Sequence, residues 1–477
     1  MDSPASAARS LWIEAGLPPA ALERLQLSGT APVVPSSFAI GTAMQAGLGV
    51  AALAAAELGA AHGGPVQGVT VDAADAVRES SGRFTLDGRK PELWDPLSGL
   101  YRCQGDGQGQ GDSDADVAWV RVHANFAHHR DGVLQLLGLP TGAATPRAAV
   151  EKALRTWSAF AFEAAASERG LVVAAVRSVD QWQRHAQAAA LETLPLVSIE
   201  RIGDAPPTGW SPVDPAAAPL GGLRVLDLTR ILAGPVAGRT LAAYGADVLL
   251  VNGPHLPNIE AIADTSRGKL SALLDLRDAA DAERLRQLVR EADVFLQGYR
   301  PGAIAGRGFA PQELARLRPG IVCVSLSAYG HAGPWAGRRG FDSLVQSATG
   351  LNLAEAEAFG ESAPRALPLQ ALDFGAGYLL AFGALAALHR QRREGGSWLV
   401  RVALAGVGRW LASLGRLADG PRATWPSFEG AMEESASGFG RLVAVRHAAR
   451  LSATPAKWVR PSMPPGSHPP AWPPRSC

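Results

Sequence analysis

The sequence predicts an α/β protein whose second half is a doubly wound parallel sheet. Three observations carry that expectation. Short apolar runs alternate with helix-length segments between residues 221 and 404, the pattern of βαβ units. Runs such as Ala246-Asp247-Val248-Leu249-Leu250-Val251 are apolar at nearly every position, as strands buried on both faces are. One stretch, Gly221 to Gly253, reads as a complete strand–helix–strand unit. Val225, Leu226 and Leu228 form its first strand, and Ala233-Gly234-Pro235 breaks the run. Pro235 suits a first helical turn, where its missing N–H is not needed. Val236 to Tyr244 is helical in pattern, Gly245 stops it, and a second strand follows. Ligands of such sheets bind at the carboxyl ends of the strands, which here means Thr229 to Pro235.

Taken in order, residues 1–35 suggest short helices at Ser10 to Ala15 and Pro19 to Leu27. Ser36-Ser37 stands where it could cap a long helix, Phe38 to Leu58. That helix is long and apolar enough to raise a membrane span, but it is dominated by alanine and glycine, so a buried core helix is expected and no membrane. Val66 to Asp72 reads as a strand and Ala73 to Arg78 as a helix. The segment QGDGQGQGDSD has no phosphate-loop lysine and is expected to be an exposed loop. Val117 to Val122 and Val172 to Val176 read as strands, and Asp131 to Leu137, Pro146 to Ala166 and Val179 to Ala189 as helices. Residues 203–219 are rich in proline and read as a linker.

Beyond the Gly221 to Gly253 unit, strands are expected at Leu270 to Leu276, Val294 to Leu296, Ile321 to Ser327 and Trp398 to Leu404. Helices are expected at Ala279 to Glu291, Pro311 to Arg318, Gly340 to Gly350 and Phe374 to Arg392, and Ala366 to Leu372 is strand-like. From about Ala412 regularity fades into a proline-rich end. One internal echo stands out. Ser37-Phe38-x-x-Gly41…Gly47…Ala51 matches Asp373-Phe374-x-x-Gly377…Gly383…Ala387 at one offset, and a Gly-Gly turn and a Val-x-Val strand follow each.

The 477 residues allow two or three domains. With 47% apolar and 19% charged residues the chain can bury a large core. A net charge of +1 implies no nucleic-acid partner. The three cysteines are far apart, forming neither a disulfide framework nor a metal-ligand spacing, and the opening MDSPASAARSLW lacks the apolar stretch of a signal peptide. A cytoplasmic protein is expected. His128-His129 beside Asp131 raises a metal, yet no second ligand pair accompanies it, so surface or hairpin histidines and no metal are expected. No G-x-G-x-x-G, Walker or G-x-S-x-G motif occurs.

Asp373 has two readings. An aspartate at a helix start caps the first turn. A carboxylate there can also act as a covalent nucleophile, beside glycines that leave room for a ligand. Arg230, Arg267, Lys269, Arg300 and Arg307 fall near strand ends, where shared placement would suit a phosphate-bearing ligand.

Several of these motifs together resemble the class III CoA-transferases, the carnitine/bile-acid CoA-transferase family. They are Leu223-Arg224-Val225-Leu226-Asp227 with Arg230 and Ala233-Gly234-Pro235, then Gly245-Ala246-Asp247-Val248 and Arg267-Gly268-Lys269-x-Ser271. Tyr299-Arg300-Pro301-Gly302, Ser327-x-Tyr329-Gly330, Phe341-Asp342 and Leu372-Asp373-Phe374-x-x-Gly377 continue the series. The resemblance runs from about Leu220 to Leu404. Residues 36–200, with Tyr101-Arg102 and Trp119-Val120-Arg121-Val122-His123, look like the family's later portion, so the order is that of a rearranged or fused pair.

The resemblance implies a Rossmann-like CoA-binding and catalytic portion at 220–411 and a smaller α+β domain within 1–205. A linker at 206–219 and an irregular proline-rich segment at 412–477 complete the expected division. It further implies acyl-CoA and a carboxylic acid acceptor as substrates, Asp373 as the nucleophile, and a CoA site lined by Arg230, Ala233, Lys269, Tyr299, Arg300 and Tyr329. A homodimer, or a monomer that mimics one through its related halves, is also implied. Phe341 stands where the family's racemase branch has histidine, which weighs against an acyl-CoA racemase or epimerase, since phenylalanine cannot take a proton. Ser37 opposite Asp373 leaves a silent CoA-binding protein as the third reading.

Overall fold

The computed structural model describes residues 3–105, 117–208 and 218–474. Most of the glycine-rich segment, the middle of the linker and Cys477 lie outside them. The chain opens with α1 (Pro4–Glu14), β1 (Leu25–Ser28), α2 (Ile40–Ala61), β2 (Val69–Asp72), α3 (Ala73–Ser80) and β3 (Phe84–Leu86). Next come β4 (Gly99–Gln104), β5 (Val117–Val122), α4 (Ala127–Leu136), α5 (Arg147–Leu154), α6 (Ala159–Glu168) and β6 (Val173–Ala175). Then α7 (Val179–Gln183), α8 (Ala186–Glu192) and β7 (Ser198–Gly203) lead to the linker. The alternating part is β8 (Arg224–Leu228), α9 (Ala233–Ala243), β9 (Asp247–Asn252), α10 (Ile262–Thr265), β10 (Lys269–Leu273), α11 (Ala279–Glu291), β11 (Val294–Gln297), α12 (Pro311–Leu317) and β12 (Val322–Ser327). It is followed by α13 (Asp342–Ala348), α14 (Leu351–Phe359), α15 (Ala371–Glu394), β13 (Ser397–Ala403), α16 (Leu404–Ser413), β14 (Met432–Ser437), β15 (Gly440–Val445) and β16 (Arg450–Leu451).

The expected doubly wound sheet is present. Its order is β10-β9-β8-β11-β12-β13-β7, with β7 antiparallel to β13 and every other pairing parallel. Connections run outward in opposite directions from β8 and β11, so a crevice opens between their carboxyl ends. Gly245 adopts φ +97° after α9, the left-handed stop expected there. The smaller α+β unit is the antiparallel sheet β4-β5-β6 with α4, α5 and α6, around its own core of Leu97, Tyr101, Val120 and Phe162.

Helices α2 and α15 pack against each other, and α15 also packs on α9. Both α2 and α15 are long and apolar enough to cross a membrane, but 89% and 100% of their apolar windows are buried inside the protein. They are the core helices that the alanine-rich pattern suggested. Close approach is possible because the contacts are small: a Cβ on Gly377 would lie 2.6 Å from Val236 Cγ1 and 2.8 Å from the Ala233 carbonyl oxygen.

Several expectations change. Ser36 and Ser37 do not cap α2, whose N-cap is Ala39; Ser37 instead donates its hydroxyl and N–H to Glu355. Pro146 to Ala166 is two helices, because Ser158 accepts from the Ala161 N–H and starts a second one. Ala366 to Leu372 is not a strand: α15 already begins at Ala371. The segment after Ala412 is not uniformly irregular. β14 and β15 form a hairpin that pairs with β3, and β16 pairs with β2. The apolar core crosses the expected domain boundaries, joining Trp12, Leu53, Val236, Leu380 and Leu451 in one cluster.

That carboxyl-side segment covers a buried polar network. Glu79 on α3 lies 3.1 Å from His447 Nδ1, accepts from the Ala448 N–H at 2.7 Å, and pairs with Arg239 at 3.3 Å. Burial by itself would raise the Glu79 carboxyl, but His447, Arg239 and the Ala448 N–H outweigh it and hold it at about 2.

Candidate active site

A cavity of about 600 Å³ opens over the carboxyl ends of β8 to β12, at the crevice where the strand order reverses. Its floor is the first βα connection. Ile231 there has φ +77°, a left-handed conformation that costs a β-branched residue on the order of 1–3 kcal/mol. The strained turn delivers Arg230 and Ala233 to the cavity wall. No side chain caps α9, which begins at Ala233, so its positive end meets the cavity.

Asp373 lines the same cavity. It is the third residue of α15; the N-cap is Gln370, and no side chain of its own caps the helix. The capping reading of Asp373 is therefore overturned. The helix is capped from outside by Asp342 in the first turn of α13. Asp342 Oδ2 accepts from the N–H groups of Leu372 (2.8 Å) and Asp373 (2.9 Å), and Oδ1 accepts from Gln346 Nε2.

Two buried carboxyls thus share one site with unequal support. Burial raises Asp342 to about 6, against the pull of these donors and of Arg121. Burial and then the neighbouring Asp342 push Asp373 well above the carboxylate range, because no donor among the described residues serves its side chain. Two such groups resist simultaneous ionisation. The Asp373 carboxylate is a desolvated, high-energy anion whenever it forms.

The structure brings together four of the six residues expected around the ligand: Arg230, Ala233, Tyr299 and Arg300 all line the cavity with Asp373. Burial raises the Tyr299 hydroxyl and lowers Arg230, whose Nε has no partner and whose guanidinium donates to the Pro257 carbonyl. Lys269 does not belong to this wall. It is fully buried, with Nζ 2.8 Å from Asp227 Oδ2 and 2.8 Å from the Pro235 carbonyl oxygen. Gly238 is needed beside this pair, since a Cβ there would lie 2.3 Å from Asp227 Oδ2. Tyr329 is likewise absent from the wall, buried with its ring 4.9 Å from that of Trp335. The glycines after Asp373 do not make room for a ligand; Gly375 faces Val407 and Gly377 faces α9.

Other residues reach the cavity that sequence reasoning left aside. His128 and His129 begin α4 rather than lying in a strand or hairpin, and both line it, with Arg338, Arg339 and Phe341. Their signal was a pair of histidines with no visible partner, which only the folded small unit turns toward the sheet. No group of three metal-ligating side chains occurs among the described residues. Ser37, the counterpart of Asp373, is buried against Glu355 and Arg416 and lines no part of the cavity.

Residues 220–419 match the family model described as CoA-transferase family III. Over these residues the chain is similar to CoA-transferase family III. Among curated relatives of the family, the acyl-CoA transferase of Gibberella moniliformis is 33% identical over 300 residues, covering 59% of this chain and 52% of that protein. The probable fatty acyl-CoA transferase of Mycobacterium tuberculosis is 34% identical over 210 residues, 41% of this chain and 53% of that one. A succinyl-CoA:glutarate CoA-transferase of Mus musculus is 30% identical over 194 residues, 38% and 44% respectively. The chain spans about half the length of these curated relatives. A crystal structure of a CAIB/BAIF family protein from Brucella suis aligns at 25% identity over 47% of this chain and 65% of that one, with a TM-score of 0.36.

Proposed function

We propose that the protein moves CoA between an acyl-CoA thioester and a carboxylic acid, with Asp373 as the nucleophile. The observation that carries this reading is a buried Asp373 carboxyl, without a donor among the described residues, in the wall of the cavity at the sheet's crevice. An Asp373 oxygen attacks the thioester carbonyl and expels CoA thiolate, leaving a mixed anhydride. The thiolate then attacks the Asp373 carbonyl of that anhydride, releasing the first acid and leaving an aspartyl-CoA thioester. The acceptor carboxylate attacks this thioester, and the returning thiolate cleaves the new anhydride at the acceptor's carbonyl, so acyl-CoA leaves and the Asp373 carboxylate is restored. A weakly solvated carboxylate favours the first attack, since little hydration is lost on bond formation. Mass spectrometry after incubation with a panel of acyl-CoAs tests the reading. A hydroxylamine-sensitive adduct on the α15 peptide supports it, and its absence with every thioester refutes it.

The cavity suits CoA phosphates on its β11 side, where Arg300 carries no acidic partner among the described residues. Arg307, in the same wall, likewise has no acidic partner among the described residues and donates to the Leu276 carbonyl oxygen. Replacing either with Ala removes a charge-assisted contact of about 1.5–3 kcal/mol, or up to ~100-fold in CoA affinity. Calorimetric titration with CoA checks this, and unchanged affinity in both variants rejects the assignment.

Asp342 sets the pH range. Transfer needs Asp373 ionised, so activity falls as pH drops through its raised pKa. Asp342→Asn removes the neighbouring negative charge while its amide oxygen can still accept from Leu372 and Asp373. The acidic limb of the kcat/KM profile is then expected to move to lower pH. A limb that stays in place or moves up contradicts the coupling.

Racemisation is the weaker alternative. Phe341 offers no proton, and His129, lowered to about 3 chiefly by burial, is a poor base near neutral pH. Deuterium uptake at the α-carbon of an acyl-CoA in heavy water would favour it. We further place the protein in the cytosol. For assembly, one core joins residues from Trp12 to Leu451, which suits a chain that mimics a dimer by itself. Light scattering at the mass of a single chain is the expected result, and a stable dimer contradicts it.

A further inference from the structure

Resting on the CoA-transfer reading, we propose that the acid handled beside Asp373 carries a second anionic group, held by Arg339 and the His128–His129 pair together with Arg230. A cluster of cations without acidic partners and of unsatisfied ring nitrogens in the cavity wall carries the proposal. Neither ring nitrogen of His129 has a hydrogen-bond partner among the described residues, although the residue is only 5% exposed and lines the cavity. Arg230 and Arg339 face the same histidines, and both lower His128 and His129 after the effect of burial. Among the described residues Arg339 donates only to the Gly170 carbonyl oxygen, at 3.2 Å, and it is lowered by burial and by Arg300. Neither arginine has an acidic partner among the described residues. In contrast, the adjacent Arg338 has an acidic partner, Glu163 at 3.0 Å, which it shares with Arg177. Half-buried cations and a buried, unpaired imidazole are costly unless a ligand supplies charge and acceptors.

The placement points to the acid rather than to the phosphates of CoA. The His129 ring lies 5.7 Å from that of Phe126 and 6.4 Å from that of Phe341. The residue after Phe341 is Asp342, which accepts from the Asp373 N–H itself. Arg230 sits over Phe126 at 5.7 Å. Through Phe126 and Phe341 the cluster packs beside the loop that leads into Asp342, whereas the pantetheine arm holds CoA's phosphates far from its thioester. A neutral His129 presents one N–H donor and one acceptor, and the guanidinium of Arg339 presents a planar fork suited to a carboxylate.

The test is calorimetric binding of CoA, valeryl-CoA and glutaryl-CoA to the full chain. The two thioesters have five-carbon acyl groups and differ by a distal carboxylate. Wild type is expected to bind glutaryl-CoA at least about tenfold more tightly than valeryl-CoA. His129→Phe and Arg339→Met are each expected to reduce that ratio toward one, while affinity for CoA alone changes far less. Equal affinities in the wild type, or a preference that survives both substitutions, overturn the proposal. A loss for CoA alone as large as that for glutaryl-CoA also overturns it, assigning the cluster to CoA phosphates. If the wild type binds none of the three, the CoA-transfer reading itself falls, and this inference with it.

Discussion

Asp373→Asn is expected to remove CoA transfer, at least about a thousand-fold in kcat, while the protein melts no lower than the wild type. An amide cannot form the anhydride or the aspartyl thioester, so loss of covalent chemistry is the dominant effect. The stability side follows from linkage. The Asp373 pKa is raised in the folded protein by burial and by Asp342, so its contribution to stability is full below the unfolded value of about 4 and is lost as pH rises through the folded value. At pH 7 the ionised group is a net cost, and an isosteric neutral side chain is spared it. Since the cap of α15 comes from Asp342, the substitution removes no cap. Turnover assays, adduct detection and thermal melts on one preparation decide the matter. Transfer activity retained in the variant sinks the mechanism, and a large drop in melting temperature means the residue is structural after all.

The sheet was legible in the sequence because its strands are short apolar runs bounded by glycine and proline, and because helix-length segments separate them. Asp373 was legible as a position, but its local role was not. A carboxylate at a helix start looks like a cap until the tertiary partner that actually caps, Asp342 on α13, is seen. Lys269 was misplaced for a different reason. It is the first residue of β10, hence at the opposite end of the strand from the cavity, although its sequence neighbourhood says only that it lies near a strand end. Tyr329 follows β12 yet turns inward under Trp335, a choice made by packing. His129 could not have been found by local pattern, since what gives it meaning is the docking of α4 against the loop that carries Phe341.

Lys269→Ala is accordingly expected to destabilise the whole protein by about 3–5 kcal/mol rather than to weaken CoA binding selectively. Removing the ammonium leaves Asp227 as an uncompensated charge with no exposed surface, next to a glycine that leaves no room for compensation. Burial itself lowers the Lys269 pKa, with Asp227 opposing it, so the pair survives only as a pair. Chemical denaturation measures the loss, and calorimetry at low temperature on the folded fraction measures CoA affinity. A stable variant with lost CoA binding would return Lys269 to the ligand site. The double substitution Asp227→Asn with Lys269→Met is expected to recover most of the stability, because neither member is then left charged alone.

The pairing of β2 with β16 has a consequence for how the chain comes into being on the ribosome. Gln67, just before β2, is bonded to Thr454, 387 residues further along. At a synthesis rate of ~5–20 residues per second, the first partner waits roughly 20–80 s for the second. During that interval α2, an apolar helix, and the α3 carboxylate Glu79 lack the residues that later cover and pair with them. Contacts of such long range are also slow to form after release. Until the carboxyl-side strands emerge, the nascent chain carries the apolar surface of α2 and the Glu79 carboxylate without the partners that the finished fold gives them.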